Sequence, residues 1–406
     1  MLVFPVMVSC QPGVKLDHLD SPRLVGPLLG HVSYEEANFW AYAGPGARFR
    51  IEYWPRAEPQ RVMQVEFEAN ASANHSAKVK LESLTPTTIY DYRLIELSSD
   101  DQEATGQFRT APLPGTSGRF NLAAASCMRY DNDQQAWVTL ASKEPSLLLL
   151  LGDNVYSETT SPDQIRSHHL RYRTVPEFAR IIATTPTYAI WDDHDFAGDN
   201  AAGDTPGKED SLRVFNEVWV NPGAGTQDTL GIFHSFRWGD VEFFMLDTRY
   251  HRSPNIYIDN DDKRMLGDAQ FEWLKEGLLA STATFKIIAS GSTLKAALTD
   301  SWRRYGFSRE RVFATIMEND VNGALFLTGD LHRCQIDEHD SGVEGGYPIV
   351  EVISSGITRG SPTGFVTIEF DTTIDDPSLT ILVWKGDGQL QERRVIPLSE
   401  LQVRGG

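Results

Sequence analysis

The stretch LLLLLGDNVYSE (147–158) runs from five leucines straight into Gly-Asp. A short apolar run closed by a turn residue reads as a buried strand. Gly152 permits a sharp turn where Asp153 emerges. Three other runs are built the same way: FNLAAASCMRYD (120–131), TYAIWDDHDFAGDN (187–200) and ALFLTGDLHRC (324–334). In α/β sheets, ligands bind beyond the carboxyl ends of the strands. The four ends carry Cys127, Asp153, Tyr156, Asp192, Asp193, His194, Asp199, Asp330 and His332, which predicts one convergent site. So many acids just past a core serve no plain structural purpose, and a multinuclear metal centre is the leading reading.

The four tips differ in chemistry. A carboxylate at 153 can bridge two cations, because its two oxygens offer about four lone-pair sites. Tyr156, three residues on, can return to the same cluster. A phenolate ligand favours a hard, highly charged ion such as ferric iron. Alone, Asp153 reads as a helix cap; the three sister motifs turn the reading to metal. WDDHDFAGDN puts four Asp and one His in the nine residues after Trp191, and without cations that charge would repel itself. Asp193 is the expected ligand and His194 a proton donor or transition-state stabiliser. The competing role for His194 is a buried histidine bonded to a carbonyl. Asp199 or Asn200 supplies a further ligand, and Asp192 is either a ligand or a residue behind the ligands.

In GDLH, Asp330 and His332 sit on alternate residues, which an extended segment turns to one side. Cys127 closes another strand end, and a thiolate binds iron or zinc readily. Cys334 reads as an inert core thiol. Arg129, and Arg249 in LDTRYHR (246–252), can hold an anionic substrate by bidentate bonds or serve as structural ion-pair residues. The loop DNDDK (259–263) lacks the Gly and terminal Glu of a calcium loop and reads as solvated surface.

The bulk composition narrows the class. The 406 residues suffice for two domains, or for one large enzyme domain with an appendage. An apolar fraction of 41% with 23% charged residues is ordinary globular composition. Fifty-six acids against 37 bases give a net charge of −19, which argues against nonspecific DNA binding. It does not exclude a phosphate-bearing substrate, since bound cations reverse the local potential. Three cysteines, Cys10, Cys127 and Cys334, form no Cys-x-x-Cys pair, which excludes a zinc ribbon and a disulfide framework. No apolar run is long enough for a transmembrane helix. MLVFPVMVSC (1–10) is similar to the tail of a bacterial lipoprotein signal ending at Cys10, although it lacks a basic start; an N-terminal strand or tail is the alternative.

Outward from the tips, the chain divides. Residues 1–21 are an N-terminal tail or signal remnant. Residues 22–112 show period-two alternation, as in ARFRIEYW (47–54), AKVKLESL (77–84) and IYDYRLIEL (89–97), and predict an all-β sandwich. LTPTTIYDYRL (84–94) resembles the corner of fibronectin type III domains, which gives Tyr90 a structural role. APLPGTSG (111–118) marks a boundary. Residues 113–406 alternate strands with helices such as DAQFEWLKEGLLAS (268–281), with Asp268 as its expected N-cap. A mixed pair of sheets flanked by helices fits this order.

Taken together, SC (126–127), GDNVY, WDDHD, LDTRY, LGDAQFEWL (266–274) and TGDLH resemble the PhoD-like alkaline phosphatase D metallophosphoesterases. The match covers about residues 120–335, and the β-sandwich and FRTAP (108–112) match as well. The resemblance implies a four-layer αββα sandwich (an α/β, or α+β, fold) preceded by the immunoglobulin-like or fibronectin III-like domain. It implies hydrolysis of phosphate monoesters and diesters, with phospholipase or nucleotidase action as the alternative, and ferric iron with calcium as cofactors; zinc or manganese would also suit the residues. Carried over by position, Cys127, Asp153, Tyr156 and Asp330 become iron or bridging ligands. Asp193, Asp199 or Asn200, and His332 complete the calcium side or orient the phosphate. The expected mechanism is attack by a metal-activated hydroxide, with His194 or His332 protonating the leaving alkoxide and Arg129 holding the anion. The expected partner is a small phosphate ester. Export to the periplasm or cell surface is implied. The competing class is a non-enzymatic metal-binding surface or adhesion module.

Overall fold

The computed structural model describes residues 24–98, 102–294 and 300–404; Cys10 and the lipoprotein-like stretch lie outside them. Seven strands come first: β1 (Val25–Val32), β2 (Ala37–Tyr42), β3 (Arg48–Pro55), β4 (Met63–Glu68), β5 (Ser76–Leu81), β6 (Ile89–Glu96) and β7 (Glu103–Arg109). They form a three-stranded sheet, β1-β2-β5, and a four-stranded sheet, β4-β3-β6-β7, all antiparallel. The alternation read from the sequence is the burial pattern observed. In β3, Phe49, Ile51 and Tyr53 are buried while the residues between them are not. The hydroxyl of Tyr90 accepts a hydrogen bond from the Thr85 amide at 2.9 Å, which pins the corner as expected.

Strands and helices then alternate. They are β8 (Arg119–Ala125), α1 (Gln135–Ala141), β9 (Leu147–Leu151), α2 (Pro162–Arg173), α3 (Pro176–Thr184), β10 (Thr187–Ile190), α4 (Asp193–Phe196) and α5 (Lys208–Val218). Next come β11 (His234–Trp238), β12 (Val241–Met245), α6 (Asp268–Ala280), β13 (Phe285–Ser290), α7 (Gly306–Glu318) and β14 (Ala324–Thr328). The chain closes with β15 (Gln335–His339), β16 (Ile349–Ile353), β17 (Gly364–Asp371), β18 (Ser378–Lys385) and β19 (Leu390–Pro397). Two six-stranded mixed sheets result, β10-β9-β8-β17-β18-β19 and β11-β12-β13-β14-β16-β15. They pack face to face through pairs such as Phe285–Phe370 and Phe120–Trp238, with ring centroids 5.9 and 6.4 Å apart. The five leucines of β9 are wholly buried, as a strand covered on both faces requires. Helix α1 packs on one sheet at β17 and against α3, while α6 and α7 pack on the other through Trp273–Phe244 and Phe313–Phe326, giving the α/β four-layer sandwich.

The two parts are joined by a packed junction. The Tyr188 hydroxyl bonds to the Val32 carbonyl at 3.1 Å and the Tyr92 hydroxyl to the Ala183 carbonyl at 2.7 Å. Arg173 is fully buried between the faces of Trp40 and Trp219, 4.2 and 4.8 Å from their ring centroids.

Two expectations need correction. Gly267, not Asp268, is the N-cap of α6, and no side chain caps that end; the Asp268 carboxylate is drawn to Arg264 and Arg311 instead. In DNDDK, Asp261 and Asp262 are exposed, but Lys263 is buried, its ammonium satisfied by the Asn255 and Tyr257 carbonyls. No described helix is long and apolar enough to cross a membrane.

Candidate metal centre

Strands β8, β9 and β10 are parallel neighbours in one sheet, while β14 lies in the other. Their carboxyl ends meet where the two sheets abut. Gly152 makes the meeting possible. At φ +90° its missing side chain leaves room for the Asp192 backbone, which a Cβ would meet at 2.7 Å.

Two donor groups gather there, each with its atoms within 4.8 Å of one another: Cys127, Asp153 and His332; and Asp153, Asp193 and His194. Asp153 belongs to both, the position of a bridging carboxylate. Tyr156 joins through its hydroxyl, 2.9 Å from Asp153 Oδ2, and Cys127 Sγ lies 3.3 Å from the same oxygen. The backbone is strained to place these groups. Cys127, Asp153, Glu158, Asn200, Asp330 and His332 all have left-handed φ between 52° and 68°, each costing on the order of 1 kcal/mol or more.

The electrostatics fit cations. Burial, then repulsion from Asp193 and Asp192, pushes the Asp153 carboxyl well up. Burial, then Asp300, does the same to Asp330, and burial, then Asp153, raises the Cys127 thiol. Buried Oδ1 of Asp153 and Oδ2 of Asp330 have no hydrogen-bond partner, a costly state for a carboxylate oxygen without an ion. The donors present, a thiol, a phenol, carboxylates and imidazoles, suit metal ions of different hardness. His332 is held down to about 4 by burial, then by Arg359 and His194, so it is the neutral imidazole that a ligand must be. For His194 burial pulls downward, but the Glu158 hydrogen bond and the Asp193 charge outweigh it and the net shift is upward. For Asp193 burial pulls upward, and Arg249, His194 and the amides of Asn200 and His194 reverse it.

The other predicted residues are placed as follows. Asp192 sits behind the donors: its Oδ1 accepts from Arg249 Nε at 2.7 Å. Asn200 is half-buried, its amide N–H bonded to Asp193 Oδ2 at 2.7 Å. Asp199 is exposed, accepts from the Asn200 side chain, and stands outside both donor groups. Asp330 and His332 do not share a face of an extended segment; both are left-handed, in a bend after β14. Arg129 lies at the rim, paired with Asp131 and 5.5 Å from the Tyr156 ring. Arg249 is no substrate clamp. It is wholly buried and saturated by Asp192, Asp300 and the Ala201 carbonyl. Cys334 is buried, its thiol pushed up to about 12 by burial.

The same geometry explains the motifs without donors. Asp247 of LDTRY accepts from Trp191 Nε1 and from the amides of Ile232, Arg249 and Tyr250. Gln270 of LGDAQFEWL holds the Asp247 backbone at 2.8 Å. Together they fix the residue just before Asp192.

Sequence reasoning missed three residues. Arg359, from the turn after β16, lies 4.5 Å from the Tyr156 ring centroid, with Nη1 3.4 Å from His194 Nε2. Glu158 bonds His194 Nδ1. Asp195 accepts from the amides of Asp192, Asn154 and Val155, which ties the 152–156 loop to the 192–196 turn. Glu158 and Asp195 lie inside stretches already singled out, but nothing in TRGSP (358–362) marks Arg359.

Residues 122–391 match the family model of the PhoD-like phosphatases. The chain belongs to the PhoD-like phosphatase family. Alkaline phosphatase D of Bacillus subtilis (strain 168) is 26% identical over 320 residues, covering 65% of this chain and 54% of that one. The chain thus spans about half the length of this curated relative. The solved structure of PhoD superposes with a TM-score of 0.78 at 19% identity, over 96% of this chain and 95% of that one. Purple acid phosphatase PPD1 from yellow lupin (Lupinus luteus) seeds superposes at 0.68 and 15% identity, over 93% and 74%. These likenesses show the fold, and the PhoD-like chain described here carries its metal-type donors at that fold's strand ends.

Proposed function

We propose that this PhoD-like chain hydrolyses phosphate esters with the help of bound metal ions. The observation that carries the reading is the pair of donor groups sharing Asp153, with buried carboxylate oxygens left without partners. Cys127, Asp153, Tyr156, Asp330 and His332 would hold one ion, where thiolate and phenolate favour ferric iron. Asp153, Asp193 and Asn200 offer oxygen atoms, the preference of calcium. When bound, such ions neutralise charge on phosphoryl oxygens and lower the pKa of a water nucleophile.

The chain's own residues do the rest. Arg359 and Arg129, 4.5 and 5.5 Å from the Tyr156 ring centroid, are placed to hold non-reacting phosphoryl oxygens. His194 is the proton donor to the leaving alkoxide, and Glu158 fixes its ring by holding Nδ1. Behind them Arg249 holds Asp192 and Asp193 in place and opposes the upward pull of burial on both carboxyls. The family description and the alkaline phosphatase D likeness support the same reaction class.

The test is turnover of a chromogenic phosphomonoester and a chromogenic phosphodiester, with elemental analysis and a visible spectrum of the same sample. Hydrolysis accompanied by a charge-transfer band is expected. Metal-loaded protein that hydrolyses neither ester would end the proposal. A colourless, zinc-only active protein would overturn ferric iron and leave the hydrolase standing.

A further inference from the structure

Strands β9 and β10 have a second set of charged neighbours at their opposite ends. A cleft of about 430 Å³ opens where the β-sandwich meets α3. Arg56 and Arg109 line it from the sandwich, Arg180 from α3, and Glu144 and Ser146 from the approach to β9. An adjoining hollow of about 400 Å³ shares Arg56 and adds Trp54. From Ser146 to Asp153 the chain runs the whole length of β9 and one turn beyond, roughly 20 Å, so the cleft is separate from the metal centre.

The charges there are not balanced from within. Arg56 is held by Asp91, Nε to Oδ2 at 3.1 Å. Arg109 and Arg180 make no side-chain hydrogen bond or ion pair with any described residue, and Glu144, the acid in the lining, pairs with neither. In a chain with 56 acids against 37 bases, unpaired guanidiniums converging on one cleft go against the charge balance. A guanidinium presents a planar fork of donors that fits phosphate oxygens two at a time. Several forks from different sides suit a tetrahedral dianion better than a single carboxylate.

We infer that this cleft binds a small phosphate-bearing anion, held between Arg109 of the sandwich and Arg180 of α3. Nothing reacts there: no donor group of metal type adjoins it among the described residues. The ligand joins two parts of the molecule and stabilises their junction by mass action.

The test is calorimetric titration of the metal-loaded full chain with inorganic phosphate, at constant ionic strength set by chloride. Alongside runs an Arg109→Ser/Arg180→Ser variant, whose lost side chains are exposed and unpaired and so leave the fold intact. The parent is expected to show two binding events, one matching phosphate's inhibition of ester turnover. The double variant loses the other event by about tenfold or more, with unchanged turnover and a smaller rise in unfolding temperature on adding phosphate. A parent that binds no phosphate, or a double variant that keeps every event of the parent undiminished, would overturn the inference; if the metal centre takes up no phosphate, the parent's single event must still weaken in the variant. The readout does not require turnover, so failure of the phosphoesterase reading and failure of this one are separable.

Discussion

Two buried arginines show how differently this molecule treats charge in its two crowded regions. Arg249, behind the metal-type donors, faces Asp192, Asp193 and Asp300, and its guanidinium is held well above its usual range against the pull of burial. Arg173, at the junction with the β-sandwich, has no carboxylate partner among the described residues, lies between two indole faces, and is pulled down to about 9 by burial. The first region is a network of strong, buried, opposing charges. The second is a largely apolar seam, where Arg173 bonds the Val218 carbonyl through one nitrogen while its Nε and Nη1 and the indole nitrogens of Trp40 and Trp219 find no hydrogen-bond partner among the described residues. A network punishes removal of any member, because the partners remain buried and charged; a seam loses only the contact itself.

The largest expected effect follows at the centre of the network. Asp153→Ala should lower ester turnover on the order of 10³-fold and reduce bound metal, checked by steady-state kinetics with elemental analysis. Full activity with full metal content would remove Asp153 from the site. Next is Arg249→Leu, which strands Asp192 and Asp300. Chemical denaturation should show a loss of about 3–5 kcal/mol.

The seam should respond to pH. His31 and His234 are both held down to about 4, chiefly by burial, with Glu36 opposing at His31 and the Ile232 carbonyl at His234. Their pKa is lower folded than unfolded, so their contribution is complete above about 6.5 and is lost as pH falls towards 4. At pH 5 the loss is about 2 kcal/mol for each, and a His31→Gln/His234→Gln chain should show a flatter stability profile between pH 7 and 4. A profile as steep as the parent's would place the titration elsewhere.

Arg173→Leu should cost about 2 kcal/mol, the worth of a desolvated cation–π contact. A loss equal to that of Arg249→Leu would erase the distinction between the regions. The smallest effect belongs to Asp199. Because it is exposed, Asp199→Ala should leave turnover within about twofold and stability within about 0.5 kcal/mol. A large loss would return it to the ligands.

Much of the fold was legible because periodicity is a local property. Alternation in β3, β5 and β6 gave the sandwich strands, and the apolar run 147–151 gave a fully buried strand. The Tyr90 corner could be read from Leu84-x-Pro and confirmed by one hydrogen bond. The choice between Asp199 and Asn200 could not. Both follow α4 in one turn, and only the structure shows the left-handed Asn200 backbone donating to Asp193 while Asp199 is exposed. Arg249 looked like an anion clamp because an arginine beside a strand end is equally suited to substrate or to acids already buried there. Its partner Asp300 lies 51 residues away.

The sequence alone determined where the strands end and which chemistry stands at each end, since apolar runs and turn residues act over a few neighbours. Tertiary structure decided what those ends do together. Asp153 is shared by two donor groups because β9 lies between β8 and β10 with β14 opposite. Arg359 enters the site from a turn with no signal of its own. Those relations depend on distances between segments up to 229 residues apart, and such distances are set by how the sheets pack.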